Sequence, residues 1–146
     1  MYGQAAAFAY VANQTYLELV KERDPERPIV AAPFVVTASF SVELFLKALH
    51  QLGGQARRGH KLVPLFDALP EQARVELVAA AQTFATGHGE VAGAVDFRAL
   101  LAMLNDAFAK WRYIYEQEAH AGPIHLQRTI LVMEACHDVC RRAVFP

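Results

Sequence analysis

The sequence predicts an all-α protein: one domain, 1–146, folded as an antiparallel bundle of about five to six helices. Two observations carry this expectation. Apolar residues recur every three to four positions through long segments, and no segment alternates apolar with polar residues as a half-exposed strand would. Proline and glycine gather between those segments, where they stop helices rather than interrupt them.

Helical spacing first runs from about Ala5 to Glu22, and the charged run Arg23 to Pro28, with its two prolines, ends it. A second helix is predicted from about Ala32 to Leu52, with Pro33 in its first turn, where a missing N–H costs nothing. Gly53-Gly54 closes it. A short helix follows from about Lys61 to Leu69 and another from Pro70 to Ala85, before a loop at Thr86 to Gly89. Asp96 is placed to cap the next helix. The stripe of that helix, Phe97, Leu100, Leu101, Leu104, Phe108, Trp111 and Tyr115, is the strongest local signal in the chain. Gly122-Pro123 ends it, and a last helix is predicted from about Ile124 to Val144. Its inner face would be Thr129, Val132, Met133, Cys136, Val139, Cys140 and Ala143.

Hydrophobic residues make up 54% of the chain and charged residues 20%. So apolar a composition calls for a large core, a partner-covered surface, or both; both are expected here, with a homodimer as the simplest cover. The net charge of −1 and the pI of about 6.6 exclude a global basic field, so any nucleic-acid contact has to come from a local patch. Cys136 and Cys140 lie four apart on one predicted helix, where a bridge between them would be strained; two free thiols fit a reducing, cytoplasmic setting. The N-terminal stretch lacks the basic start and cleavage site of a secretory leader. The longest apolar stretch, Ile29 to Val42, is shorter than the ~20 residues of a bilayer span, so no membrane association is expected.

Three places could carry chemistry. On the second helix, Ser39, Glu43, Lys47 and His50 fall on one line. They form either a solvated edge with a helical Glu43–Lys47 pair worth ~0.3–0.5 kcal/mol, or a polar stripe lining a cleft or symmetric interface. The loop Gly53 to Lys61 sets Arg57, Arg58, His60 and Lys61 beside three glycines. Glycine lets a backbone approach a phosphate closely, and a flexible connector with solvated arginines has the same composition. Finally, Arg112 lies among Trp111, Tyr113, Ile114 and Tyr115, with Glu116 one turn on as an ion-pair partner. Arginine is the preferred planar anion binder, and it is also a common structural partner for a carboxylate. No metal and no cofactor are expected. His137 points about 100° away from the line of Cys136 and Cys140, and no second Cys/His pair has zinc spacing.

The segments S-V-E-L-F-L-K-A-L (Ser41 to Leu49), G-H-K-L-V-P-L-F-D-A-L (Gly59 to Leu69) and F-A-K-W-R-Y-I-Y-E (Phe108 to Glu116), in this order, resemble the HEPN family (higher eukaryotes and prokaryotes nucleotide-binding). The resemblance covers roughly Val30 to Val144. It implies a helical bundle that is usually homodimeric. Many such proteins are RNases of toxin–antitoxin, abortive-infection or CRISPR systems, and others bind nucleotides. The RNase members carry an arginine followed four to six residues later by a histidine, paired across the dimer, which cleaves RNA without a metal. Arg112 takes the arginine's place, but the histidine positions hold Gln117, Glu118 and Ala119, and His120 comes one residue late. Glu116 and Glu118 would repel a phosphate there.

The leading expectation is therefore a HEPN-like homodimeric binding or regulatory module for nucleotide, RNA or an antitoxin-like partner protein, without the standard nuclease motif. One rival is a divergent metal-independent endoribonuclease using Arg112 and His120. Another is a purely structural scaffold, in which the Glu43–Lys47 stripe lies under a neighbouring chain. Glu43, Lys47, Arg57, Arg58, His60, Arg112, Tyr113 and Glu116 are the ligand-binding or interface candidates.

Overall fold

The computed structural model describes residues 1–21, 28–87, 94–105 and 126–146. These residues form six α-helices and no strand, a helical bundle as the periodicity requires. The helices are α1 (Tyr2–Lys21), α2 (Pro28–Leu52), α3 (Leu62–Asp67), α4 (Glu71–Gly87), α5 (Phe97–Asn105) and α6 (Leu126–Val144).

The centre of the bundle is α2. Phe34, Val42, Phe45 and Leu46 are fully buried on it, and it packs against α1, α3, α5 and α6. From Ala31 to Leu52 the helix is long and apolar enough to cross a bilayer, but 67% of its most apolar window is covered by the rest of the chain. That placement is the one a core helix takes, since a helix apolar on all sides has to be covered on all sides.

Against α2 lies α1. The contacts Tyr2–Phe45, Phe8–Phe40 and Tyr16–Phe34 run in opposite sequence directions, so the two helices are antiparallel. Ala5, Ala9 and Ala12 form the buried stripe of α1. Side chains this small let the backbones approach, and the Ser41 hydroxyl of α2 donates to the Ala5 carbonyl at 3.0 Å. The outer side of α1 leaves Tyr10, Val11, Leu17 and Val20 exposed.

Helix starts differ from the sequence expectation by a few residues. The second helix begins at Pro28 rather than Ala32, so Pro33 sits in the helix interior and not in its first turn. Pro28 suits a first helical position because its φ is already helical and its missing N–H would be unbonded there. Pro33 is exposed, and its carbonyl accepts the Thr37 hydroxyl at 2.6 Å. Of the loop expected at Thr86 to Gly89, Thr86 and Gly87 belong to α4 instead; positions 88 and 89 lie outside the described residues.

Asp96 caps α5 as expected, its carboxylate accepting the Ala99 N–H at 2.9 Å. Phe97, Leu101 and Leu104 are buried and Leu100 packs beside them, whereas Phe108, Trp111 and Tyr115 lie outside the described residues. On α6 the expected inner face is buried from Thr129 to Cys140, and Ile130, Leu131 and Ala135 widen it. Ala143 is exposed instead; in the last turn it is Val144 that packs against the core. One apolar cluster joins buried residues of all six helices.

Candidate functional site

The polar line on α2 is not a solvated edge. Ser39, Glu43 and His50 are buried, and the Lys47 side chain keeps only 14% of its surface. An ion pair taken this far out of water needs further hydrogen bonds to offset its desolvation. Glu43 Oε1 supplies them by accepting Lys47 Nζ at 2.7 Å and His60 Nδ1 at 3.0 Å. The two donors come from different places: Lys47 from one turn further along α2, His60 from the loop after it.

The path of that loop follows from how α2 ends. Gln55 N–H donates to the His50 carbonyl at 2.9 Å and Gly54 N–H to the Gln51 carbonyl at 3.0 Å, with Gly54 at φ 75°. This paired closure needs a left-handed residue at its turn, which glycine adopts without strain. His50 also fastens the far side of the loop. Its Nε2 lies 2.8 Å from the Leu65 carbonyl; a carbonyl only accepts, so this nitrogen carries the proton. Between these two anchors Arg57, Arg58, His60 and Lys61 are all exposed. With Gly59, Pro64, Leu65 and Ala68 they line a cavity of about 300 Å³.

Within this cleft, His60 is held from behind. A carboxylate only accepts, so Nδ1 carries the proton shared with Glu43, and the imidazole side chain is 82% exposed. The second nitrogen of the ring is then the one with a free lone pair. What results is a histidine oriented by a nearly buried carboxylate, beside two guanidinium groups and an ammonium.

Behind it, Ser39, Glu43, His60 and Asn105 line a chamber of about 20 Å³ with Phe40, Leu62 and Leu104. The Ser39 hydroxyl oxygen is buried there without a hydrogen-bond partner. Asn105 closes the floor: its Oδ1 accepts the Leu62 N–H at 2.7 Å, capping α3 from a helix 43 residues away. Lys61, at the N-cap of α3, makes no side-chain cap of its own.

A broader groove of about 580 Å³ is lined mainly by Phe66, Val75, Val78 and Val95, with Arg74 and Glu71 at its polar edge. Its apolar walls and its carboxylate suit an anion far less than the cleft at His60 does. Asp67 and Arg98 form a two-pronged exposed ion pair near α3, which holds the Asp67 carboxyl below its ordinary range through that hydrogen bond.

The structure thus brings Glu43, Lys47, Arg57, Arg58, His60 and Lys61 together. Arg112, Tyr113, Glu116 and His120 lie outside the described residues. Both cysteines are free and buried. Burial pushes the Cys136 thiol far up and the Cys140 thiol up to about 11, so both stay protonated and act as core side chains. Among the described residues, no group of three His, Cys, Asp or Glu side chains could hold a metal ion.

Sequence reading missed the role of Asn105. Its partner is remote in the chain, so no spacing rule could have announced it. It also missed a cluster at the chain ends, where the Tyr2 hydroxyl meets His137 Nε2 at 3.2 Å and both rings pack on Phe45. Compared with known proteins, the chain matches no family model, no curated protein and no solved structure.

Proposed function

We propose that this chain is a HEPN-like helical module that binds a phosphate-bearing ligand, RNA or a nucleotide, at the cleft of the 53–61 loop. In this reading it works as a homodimer and does not depend on the arginine–histidine nuclease motif. The observation that carries the proposal is the cavity lined by Arg57, Arg58, His60 and Lys61, with His60 tied to the buried Glu43. In a chain of net charge −1, four cation-forming side chains along five residues are a local patch of the kind phosphate binding requires. Guanidinium groups suit phosphate because their N–H forks match its oxygens. The exposed Tyr10, Leu17 and Val20 on α1 give the homodimer an apolar surface to cover.

The test is fluorescence anisotropy with a labelled single-stranded RNA decamer, and calorimetry with ATP, across a salt series. About three phosphate contacts predict a slope of log K against log salt near −2, and the double change Arg57→Ala/Arg58→Ala should reduce its size by roughly 1.4. The positions are exposed, so circular dichroism should stay unchanged. No binding at 50 mM salt, or binding that the double variant leaves intact, removes the reading. Light scattering that finds a monomer at micromolar concentration removes the dimer.

A further inference from the structure

We propose that the groove between α4 and the start of α5 binds a neutral, apolar small molecule that carries a carbonyl group, such as a ketone, ester or amide. The site is separate from the loop cleft, and its occupant does not depend on the phosphate-binding reading.

The groove follows one face of α4. Glu71, Arg74, Val75, Val78 and Gln82 recur there at helical spacing, and eleven steps of ~1.5 Å make its length about 16 Å. Gln82 sets the opposite wall: its Oε1 accepts the Val95 N–H at 2.8 Å, which fastens the chain entering α5 alongside α4. Phe66 of α3 also lines the groove, with its ring centre 5.4 Å from that of the buried Phe97. The volume of about 580 Å³ falls within the range of small-molecule pockets, roughly 300–1,000 Å³. Val75 is 60% exposed and Val78 38%, so two valines of a packed helix turn apolar surface to a concave site.

The polar edge selects the kind of molecule. Arg74 Nε is buried without a hydrogen-bond partner, a costly state for a donor. Asp67 feels the Arg74 charge, but its two oxygens already accept Arg98 Nε and Nη2, each at 3.0 Å. The guanidinium at the groove edge thus calls for an oxygen acceptor from outside the chain. Glu71, one turn before Arg74 on the same edge, repels an anion, and Asp67 adds to that repulsion. Glu71 and Asp67 together balance Arg74 and Arg98, so no surplus positive charge draws an anion in. A carbonyl oxygen supplies the acceptor without bringing a charge. The apolar remainder of the molecule then covers Phe66, Val75 and Val78.

The experiment uses the purified full chain and the neutral naphthyl ketone prodan, whose emission moves to the blue when it leaves water. Prodan should bind and then be displaced by three competitors of one shape: acetonaphthone, ethylnaphthalene, which has a methylene for the carbonyl, and naphthoate, which is an anion. Ethylnaphthalene should bind roughly tenfold less tightly than acetonaphthone, the worth of one good hydrogen bond. Naphthoate should also bind less tightly than acetonaphthone, and Glu71→Gln should strengthen naphthoate alone. Arg74→Met keeps the apolar stem and should bring acetonaphthone and ethylnaphthalene to equal affinity. Val78→Glu, at an exposed position, should abolish prodan binding while circular dichroism stays unchanged. RNA binding at the loop cleft should be the same in wild type and both of these variants. An unshifted prodan spectrum, or binding that Val78→Glu leaves intact, overturns the site. Ketone and hydrocarbon displacing prodan equally from wild type removes the role of Arg74, and naphthoate binding more tightly than the ketone overturns the neutral class.

Discussion

Glu43 provides the sharpest test of how this bundle tolerates charge at its centre. Its side chain is 10% exposed and that of Lys47 14%, with 2.7 Å between the charged atoms. Glu43→Ala removes the counter-charge and strands the Lys47 ammonium in a largely buried position. Breaking a buried pair from one side costs about 3–5 kcal/mol, and the remaining exposure of Lys47, whose long stem lets the ammonium reach toward water, brings this down to about 2–4 kcal/mol. For a chain of this length that is a fall in Tm of roughly 5–15 °C. Adding Lys47→Met removes the stranded charge and keeps the volume, so the double variant should recover more than half of the loss. Urea denaturation at pH 7, followed by circular dichroism, measures both steps. A Glu43→Ala loss below about 0.5 kcal/mol would refute the reasoning, because the pair would then behave as a surface salt bridge. A double variant less stable than Glu43→Ala alone would refute it equally.

Two further outcomes follow from burial elsewhere. Desolvation, helped by the nearby Arg141, lowers the His137 pKa from its ordinary 6.5, so the folded protein binds this proton less readily than the unfolded chain does. Stability from His137 should therefore be complete above about pH 6.5 and decline as the pH falls through the lowered folded value, with Asp138 and Glu134 opposing the shift. Denaturation midpoints from pH 7.5 to 5 should show that decline in wild type and a smaller one in His137→Gln; equal slopes would remove His137 as the cause. Cys136 and Cys140 are buried with raised pKa values, so a thiol reagent at pH 8 should label neither in the native protein and both in denaturant. Rapid labelling of the native chain would show that α6 does not pack as described.

The helical fold was legible because it rests on local chemistry. Helical repeats of apolar residues and clustered breakers are properties of neighbours in the chain, and Asp96 could be assigned as a cap because its target lies three residues away. The errors were also local in origin. Two prolines five residues apart both satisfy the rule for a helix start, and spacing alone does not show that Pro28 rather than Pro33 holds that position. Ala143 fits the inner stripe by spacing, yet periodicity does not say which residue of the last turn meets the core, and Val144 does.

The candidate site was half legible. Arg57, Arg58 and His60 announced themselves as a basic loop, and Glu43 and Lys47 as a helical pair, but as two separate features. Only the fold joined them, by turning the chain back after Gly54 so that His60 reaches Glu43 across 17 residues. The same is true of Asn105 and the N-terminus of α3. What this sequence determined by itself was a set of helices, their breaks and the sides they had to bury, since those depend on residues within a turn or two of one another. Tertiary structure alone decided that the polar line on α2 is enclosed, and that one carboxylate there orients a histidine in a cationic cleft. Burial and long-range contact are properties of the whole packed chain, and no window of sequence contains them.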